Sequence, residues 1–438
     1  MADRRQHGSL SRQRLAGVAF GWLPAQPATR RLLVVSFIDS LGTGMFLTGS
    51  ALFFTRGVGL TAGQVGFGLS LASVVGFLCS VPIGRFSDRV GARPMLVGLQ
   101  FWRGSCFIAY PFVHDFGSFL LVACLAGAGE WAAPPVVQSL VGSLVGDKSR
   151  VRTMSTIMIV RNVGFTLGAA TAAWAIAVGG GSVYQVLVFG YAATFVVSGL
   201  TLLLLRVDTA KLERTGPVAK DRPRNRPGPR YLVLAGLNGL LYLHAVILTI
   251  GLPLWVATAT KGPPPLIGAI VVTNTLLAVG LQMRLSRGVE GLRSAATRQR
   301  RAGIALAVCC LLVALTGTTN PAVTVVLVLV ATVALTIGEV YQAIGGWGLS
   351  FELSPEASRG YFLSVYGLGS TGAMIIGPWL LTAVVMPAGE IGWAGLAAML
   401  AIVGACVPMI VSRVSVAPPA QPLHQGEDQM VARKDPSA

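Results

Sequence analysis

The chain has 438 residues, of which 53% are hydrophobic and only 12% charged, with a mean hydropathy of +0.68. Soluble domains carry roughly twice that charged fraction, so a membrane protein is expected and a water-soluble domain is excluded. The formal charge of +17 and pI near 10.4 call for no nucleic-acid partner, because basic loops beside anionic lipid account for them.

A basic arm, residues 1–31, leads into twelve apolar stretches at 32–54, 62–83, 94–113, 117–146, 153–179, 183–206, 231–257, 265–286, 302–318, 321–352, 357–386 and 390–413. A helical span needs about 20 such residues. Backbone groups in lipid must bond internally, so helices are expected, and the ten-residue alternation of a β-barrel is absent. The first stretch is too long for a signal-peptide core and no A-x-A site follows it, so it reads as an uncleaved span. Between the sixth and seventh stretches lies Arg222-Pro223-Arg224-Asn225-Arg226-Pro227-Gly228-Pro229, an irregular linker by composition. The expected architecture is an all-α membrane protein with twelve transmembrane helices in two six-helix bundles. The N-terminal bundle covers 32–206, the linker 207–230, the C-terminal bundle 231–413 and a tail 414–438.

Charge placement tests that division. With both termini cytoplasmic, 30 of the 34 Lys and Arg fall on the cytoplasmic side and only Arg56 and Lys261 fall opposite. Arg103 and Arg161 lie inside spans. So strong a bias is the positive-inside rule, and one span too many or too few would scramble it. The halves also echo each other. The fourth and tenth stretches are long, each holds one glutamate (Glu130, Glu339), and each ends at a short loop with an arginine, Arg150 or Arg359. Similar halves in the same order point to a pseudo-two-fold axis along the membrane normal.

The turn between the second and third stretches is Gly84-Arg85-Phe86-Ser87-Asp88-Arg89-Val90-Gly91-Ala92-Arg93-Pro94. It packs one acid, three arginines and two glycines into a tight link between spans. This run resembles the loop between spans two and three of the major facilitator superfamily. Phe37-Ile38-Asp39-Ser40-Leu41-Gly42-Thr43-Gly44 is similar to the acidic first span of that family's drug/proton antiporters. Gly338-Glu339 leading to Leu353-Ser354-Pro355-Glu356 and Arg359-Gly360 resembles its bacterial efflux members. Ala123 stands where the antiporters carry a span-four arginine, and Gly164-Phe165-Thr166-Leu167-Gly168 echoes their span-five glycine run without its proline. The resemblance implies the major facilitator fold and places Asp39 in a central cavity. It also implies that the end of span two bearing Gly84, Arg85, Asp88, Arg89, Gly91 and Arg93 faces span eleven, where Asp88 against the helix start at Ser354-Pro355 is expected to act as a conformational latch; a loop that only sets topology is the alternative.

Buried charge marks the chemistry. An ionisable residue in a span costs a few kcal/mol to insert and is a functional candidate. There are five: Asp39, Arg103, Glu130, Arg161 and Glu339. Helix rise puts Asp39, Arg103 and Arg161 about 10–14 Å deep, and Glu130 reaches a similar layer from the far side. Such a network suits a proton relay, in which a carboxylate's protonation depends on whether a neighbouring cation is engaged; it equally suits a scaffold that holds helices in register. Asp39, Glu130, Arg161 and Glu339, with Asn162 and Gln342 beside them, are the proton-coupling and cavity candidates, and a Glu130–Arg161 contact is expected. Arg103, on a span peripheral in the resembled fold, is expected as a structural partner. His244 shares a face with Leu237, Leu241 and Leu248 and reads as a packed, neutral histidine.

No enzyme motif competes. The sequence has no P-loop, no metal-ligand spacing and no nucleophile elbow, and its six cysteines all fall within spans, so no cofactor or metal is expected. Without an ATP motor, transport runs on a gradient, which supplies about 2.3 kcal/mol per charge per 100 mV. The expected function is proton-coupled export of a small organic compound, by a monomer in the inner membrane that touches substrate, protons and lipid. Uptake symport of a nutrient is the alternative, as is a receptor or scaffold that kept the fold.

Overall fold

A computed structural model describes residues 26–54, 58–178, 183–204, 226–263, 265–286 and 291–413. The basic arm up to residue 25, the linker at 207–225 and the tail 414–438 lie outside the described residues.

The described residues form helices with no strand among them. In the N-terminal half these are α1 (Pro27–Leu52), α2 (Ala62–Val90), α3 (Ala92–Ala109), α4 (Phe116–Leu144), α5 (Asp147–Val178) and α6 (Val183–Leu203). The C-terminal half holds α7 (Pro229–Leu241, broken and resumed through His244–Val246 and a π-turn Ile247–Gly251 to Leu252–Ala259), α8 (Pro265–Leu285), α9 (Gly291–Ala314), α10 (Pro321–Glu352), α11 (Arg359–Trp379, continued by a π-turn Leu380–Val385) and α12 (Gly389–Val411). Local chemistry sets several starts. Thr61 caps α2 in a capping box with Gln64, Asp115 caps α4 with Ser118, and Asn320 accepts from the Val323 N–H beside Pro321 at the first position of α10, each satisfying an otherwise orphaned N–H.

Eleven helical segments are long and apolar enough to cross a membrane. The twelfth, α3, is short of that mark because Arg93, Gln100 and Arg103 sit within its 18 residues. It is nevertheless packed between α4 and α6 as a member of the bundle.

The halves pack alike. In the first, α1 lies on α5, α2 on α4 and α3 on α6; in the second, α7 lies on α11, α8 on α10 and α9 on α12. Glycines set equivalent approaches. A Cβ on Gly168 of α5 would sit 1.9 Å from the Leu41 carbonyl oxygen, and one on Gly369 of α11 would sit 2.1 Å from that of Ala235. Close small-residue contacts of this kind hold helices together where lipid removes the hydrophobic drive. Outward faces carry Trp174, Leu276 and Ile402, each more than 60% exposed, as a lipid-facing shell requires.

The bundles meet through α2 on α11 and, by the same symmetry, α8 on α5, with α4 against α11 and α10 against α5. Polar contacts across this seam cluster towards the end bearing Asp88. Gln138 Nε2 donates to Ser350 Oγ (2.7 Å), Gln282 Nε2 to Ser155 Oγ (3.4 Å), and Arg150 faces Glu356 at 3.6 Å.

Candidate functional site

The central layer of the N-terminal bundle is organised by one guanidinium. Arg103 is 3% exposed. Its Nε and Nη2 donate to the two Glu130 oxygens at 3.0 and 2.8 Å, and its Nη1 donates to Asp39 Oδ1 at 3.0 Å and Gln100 Oε1 at 2.8 Å. The fork therefore binds one acid bidentately and still reaches a second, which a lysine could not do. Phe195 lies under the guanidinium, 4.1 Å away at the ring centroid. Tyr191 donates its hydroxyl to Glu130 Oε1 at 3.2 Å. Gly129 leaves room for the arginine stem, since a Cβ there would approach Arg103 Cγ to 2.9 Å.

Arg103 joins α1, α3 and α4. One expectation is corrected. The Glu130–Arg161 contact is absent among the described residues. Glu130 turns to Arg103 because α4 packs more closely on α3 than on α5. Arg161 makes no hydrogen bond or ion pair among the described residues. It lines a cavity of about 50 Å³ together with Asp39, Gln100, Arg103 and Glu130. Asn162 accepts from Thr166 Oγ1 through its backbone carbonyl, and its side chain is not hydrogen-bonded among the described residues. Glu130 is the more open acid, with its side chain 33% exposed against 15% for Asp39.

In the C-terminal bundle, Glu339 accepts from Asn274 Nδ2 at 2.7 Å. Asn274 Nδ2 also donates to Thr336 Oγ1 at 3.1 Å, so α8 and α10 are tied together at this acid. Gln342 is 3% exposed and directed inside its bundle, where its amide meets Asn238 and His244.

The Gly84–Pro94 run divides by role. α2 continues to Val90, so Asp88 lies on a helix end instead of a free loop, and the turn shrinks to Gly91 at φ 95°, a region open to glycine. Asp88 Oδ1 accepts from the Gly360 N–H at 2.6 Å and Oδ2 from the Tyr361 N–H at 2.8 Å. One carboxylate thus caps the first turn of α11, where the helix dipole favours negative charge. Gly84 permits that approach: a Cβ on it would strike Ser364 Oγ at 2.1 Å. Arg85 stacks on the Tyr361 ring at 4.3 Å. Arg93 instead donates to the Leu202 and Leu203 carbonyls and closes the end of α6, while Arg89 is exposed.

Gln100, Tyr191 and Phe195 are not evident from sequence. Gln100 leaves a signal, lying three residues before Arg103 on one helical face. Tyr191 and Phe195 leave none, since an aromatic pair in an apolar helix looks like ordinary packing.

Residues 32–378 match the family model of the Major Facilitator Superfamily. Among curated proteins, the chain is 27% identical over 265 residues to multidrug resistance protein MdtH of Cronobacter sakazakii, covering 59% of this chain and 63% of that one. It is 26% identical over 143 residues to MdtH of Aeromonas hydrophila, covering 33% and 36%. The chain thus matches less than two thirds of the length of these relatives. Among solved structures, a bacterial homologue of the iron transporter ferroportin in its outward-facing state aligns over 88% of this chain and 99% of its own, with a TM-score of 0.67 and 16% identity. The human organic anion transporter MFSD10 aligns over 88% and 99%, with a TM-score of 0.60 and 17% identity. Twelve helices among the described residues, in two equivalent bundles, and a family match over most of the length make one assignment: this chain belongs to the major facilitator superfamily.

Proposed function

We propose that the protein is a proton-coupled exporter of a small organic compound, working by alternating access in the inner membrane with both termini cytoplasmic. The observation that carries this reading is the balance of charge within the spans. Three carboxylates (Asp39, Glu130, Glu339) stand against two guanidiniums (Arg103, Arg161). Fully ionised, the spans hold one uncompensated negative charge, and one proton neutralises it. A carrier that must cross between two states with its centre neutral therefore has reason to bind a proton. Asp39 and Glu130 share Arg103, so protonating either one leaves the guanidinium to the other without orphaning a buried cation.

The curated relatives are named for multidrug resistance, which supports export over uptake. The 30 to 2 charge split supports the Asp88 end as cytoplasmic. On that assignment the seam is closed towards the cytoplasm. Asp88 on the α11 terminus is then a latch for the outward-facing state, and it must part before the carrier opens inward.

The test is proton flux in proteoliposomes, screened over a panel of apolar amines, amides and acids. Compounds moved against an opposing proton flow support the reading, and Asp39→Asn should abolish gradient-driven movement while the protein still inserts. Proton and compound moving together would replace export by symport. Full gradient-driven transport by Asp39→Asn would remove that acid from the mechanism.

A further inference from the structure

A second polar assembly lies inside the C-terminal bundle, away from the Arg103 layer. Asn238 Oδ1 accepts from Gln299 Nε2 and from Gln342 Nε2, both at 2.9 Å. Gln299 Nε2 also donates to the Gln342 backbone carbonyl at 3.2 Å. Gln342 Oε1 meets His244 Nε2 at 3.3 Å. All four side chains are at most 5% exposed.

The direction of this chain is fixed by its chemistry. A backbone carbonyl only accepts, so the Gln299 amide must present its NH2 group to it. Asn238 must then present its oxygen to Gln299, and Gln342 its NH2 group to that same oxygen. This turns the Gln342 oxygen towards His244. Facing an acceptor, His244 Nε2 carries the hydrogen. In the neutral ring Nδ1 is then a bare lone pair, and it is buried with no hydrogen-bond partner among the described residues. Buried acceptors are normally satisfied; among the described residues, His244 Nδ1 and Gln299 Oε1 are the two acceptors of this assembly that are not.

The backbone at this place is irregular. Tyr242 ends the first half of α7, the helix resumes at His244, and a π-turn follows at Ile247–Gly251. Single π-turns inside helices often accompany functional sites. The surrounding charges are few. Glu339 of α10 stands one helical turn before Gln342, the ring's hydrogen-bond partner, and Tyr242 lies beside the ring at 5.2 Å between centroids, with the charge of Arg161 of α5 bearing on Tyr242 from the other bundle. Arg298 and Arg301 of α9 lie over the Tyr341 ring. The facing stretch of α11, residues 367–378, has no titratable group.

We infer that His244 is a further proton-binding site of the carrier, with Nδ1 as the acceptor and Glu339 as the counter-charge. The ring is neutral while enclosed, because an isolated buried charge is unfavourable. It takes the proton in a state where the break in α7 opens to the cavity. There the imidazolium faces Glu339, which Asn274 holds in place. The consequence for transport rests on the proposed proton coupling: the N-terminal bundle would load its proton on a carboxylate and the C-terminal bundle on an imidazole. The protonation itself does not depend on that reading.

The experiment uses the full chain with ¹⁵N-labelled histidine in lipid nanodiscs, and the proton is the probe. The sequence has four histidines, His7, His114, His244 and His424, so His244→Gln assigns the signal. Should that variant not fold, joint replacement of the other three assigns it instead. At pH 8 the His244 ring should be the Nε2–H tautomer. Acidification to about pH 5, across the range where imidazoles titrate, should convert it to imidazolium, and Glu339→Gln should move that midpoint down by about one pH unit, a tenfold change in proton affinity. In proteoliposomes, His244→Gln should flatten the acidic limb of the transport profile. A ring that stays neutral from pH 8 to 5, in both the wild type and Asp88→Asn, would overturn the inference, as would the Nδ1–H tautomer. Absence of substrate-driven proton flux in the wild type would instead count against the transport reading and leave the titration result standing.

Discussion

At the residue scale the centre of the molecule turns on Arg103. It is the sole cation bonded to Asp39 and Glu130 among the described residues. Removing one partner of a buried ion pair leaves an uncompensated charge and costs about 3–5 kcal/mol. Arg103→Leu should therefore lower the unfolding temperature strongly, and Glu130→Gln in that background should recover part of the loss. Arg161→Leu breaks no hydrogen bond among the described residues, so its loss should be smaller than that of Arg103→Leu. Thermal unfolding of the four proteins checks the order, and equal losses for the two arginines would refute it. Sequence alone finds all five ionisable residues, because any charge in an apolar stretch is conspicuous. It does not find their pairing. Which acid meets which arginine depends on helix rotation and on whether α4 leans towards α3 or α5, and neither leaves a periodic trace.

Elements show the same division. Spans are legible because hydropathy reports what lies in lipid, and helix ends are less so because helices outrun the bilayer. The ninth apolar stretch covers 302–318, whereas α9 begins at Gly291. Its first turns carry Arg293, Arg298, Arg300 and Arg301, so they are helix beyond the apolar layer. The break in α7 is not marked in sequence, since the Leu241–Leu243 segment holds neither proline nor glycine; the piece resumed at His244 packs against α10 and α11. Glycines can be counted, but their partners are not foreseeable. Gly168 is the sharpest case, with its missing Cβ 1.9 Å from backbone. Backbone cannot swing aside as a side chain does, so Gly168→Ala must push α5 off α1. Overpacking of this kind costs about 1–3 kcal/mol. We expect a lower unfolding temperature for Gly168→Ala and an equal or slightly higher one for Gly372→Ala, where a Cβ meets nothing within 4 Å and alanine is the better helix former. Equal stability of both variants would show that the helices can separate freely.

For the whole molecule, two statements need separate tests. The topology expects cysteine placed at Lys261, and cysteine placed at Arg293, to be labelled from opposite sides of the membrane; labelling from the same side would break the twelve-span arrangement. The latch concerns how the two bundles share free energy. Asp88 belongs to one bundle and the amides of Gly360 and Tyr361 to the other, so these bonds exist only while the seam is closed at that end. A carboxylate at a helix N-terminus gains up to about 2 kcal/mol when partly buried. Since about 1.4 kcal/mol is tenfold in a ratio of states, losing the charge should shift the closed-to-open ratio by about tenfold. Asp88→Asn keeps the size of the side chain but can offer only one acceptor oxygen to two N–H groups. The variant should gain accessibility at the Asp88 end, transport more slowly and bind substrate with little change in affinity, because the residue lies outside the central layer. Maleimide reactivity of a cysteine introduced at Ser350, which the closed seam buries, reads the first of these directly. Unchanged reactivity with normal turnover would reduce the Asp88 contact to a structural cap and leave the Arg150–Glu356 and Gln282–Ser155 contacts to hold the gate.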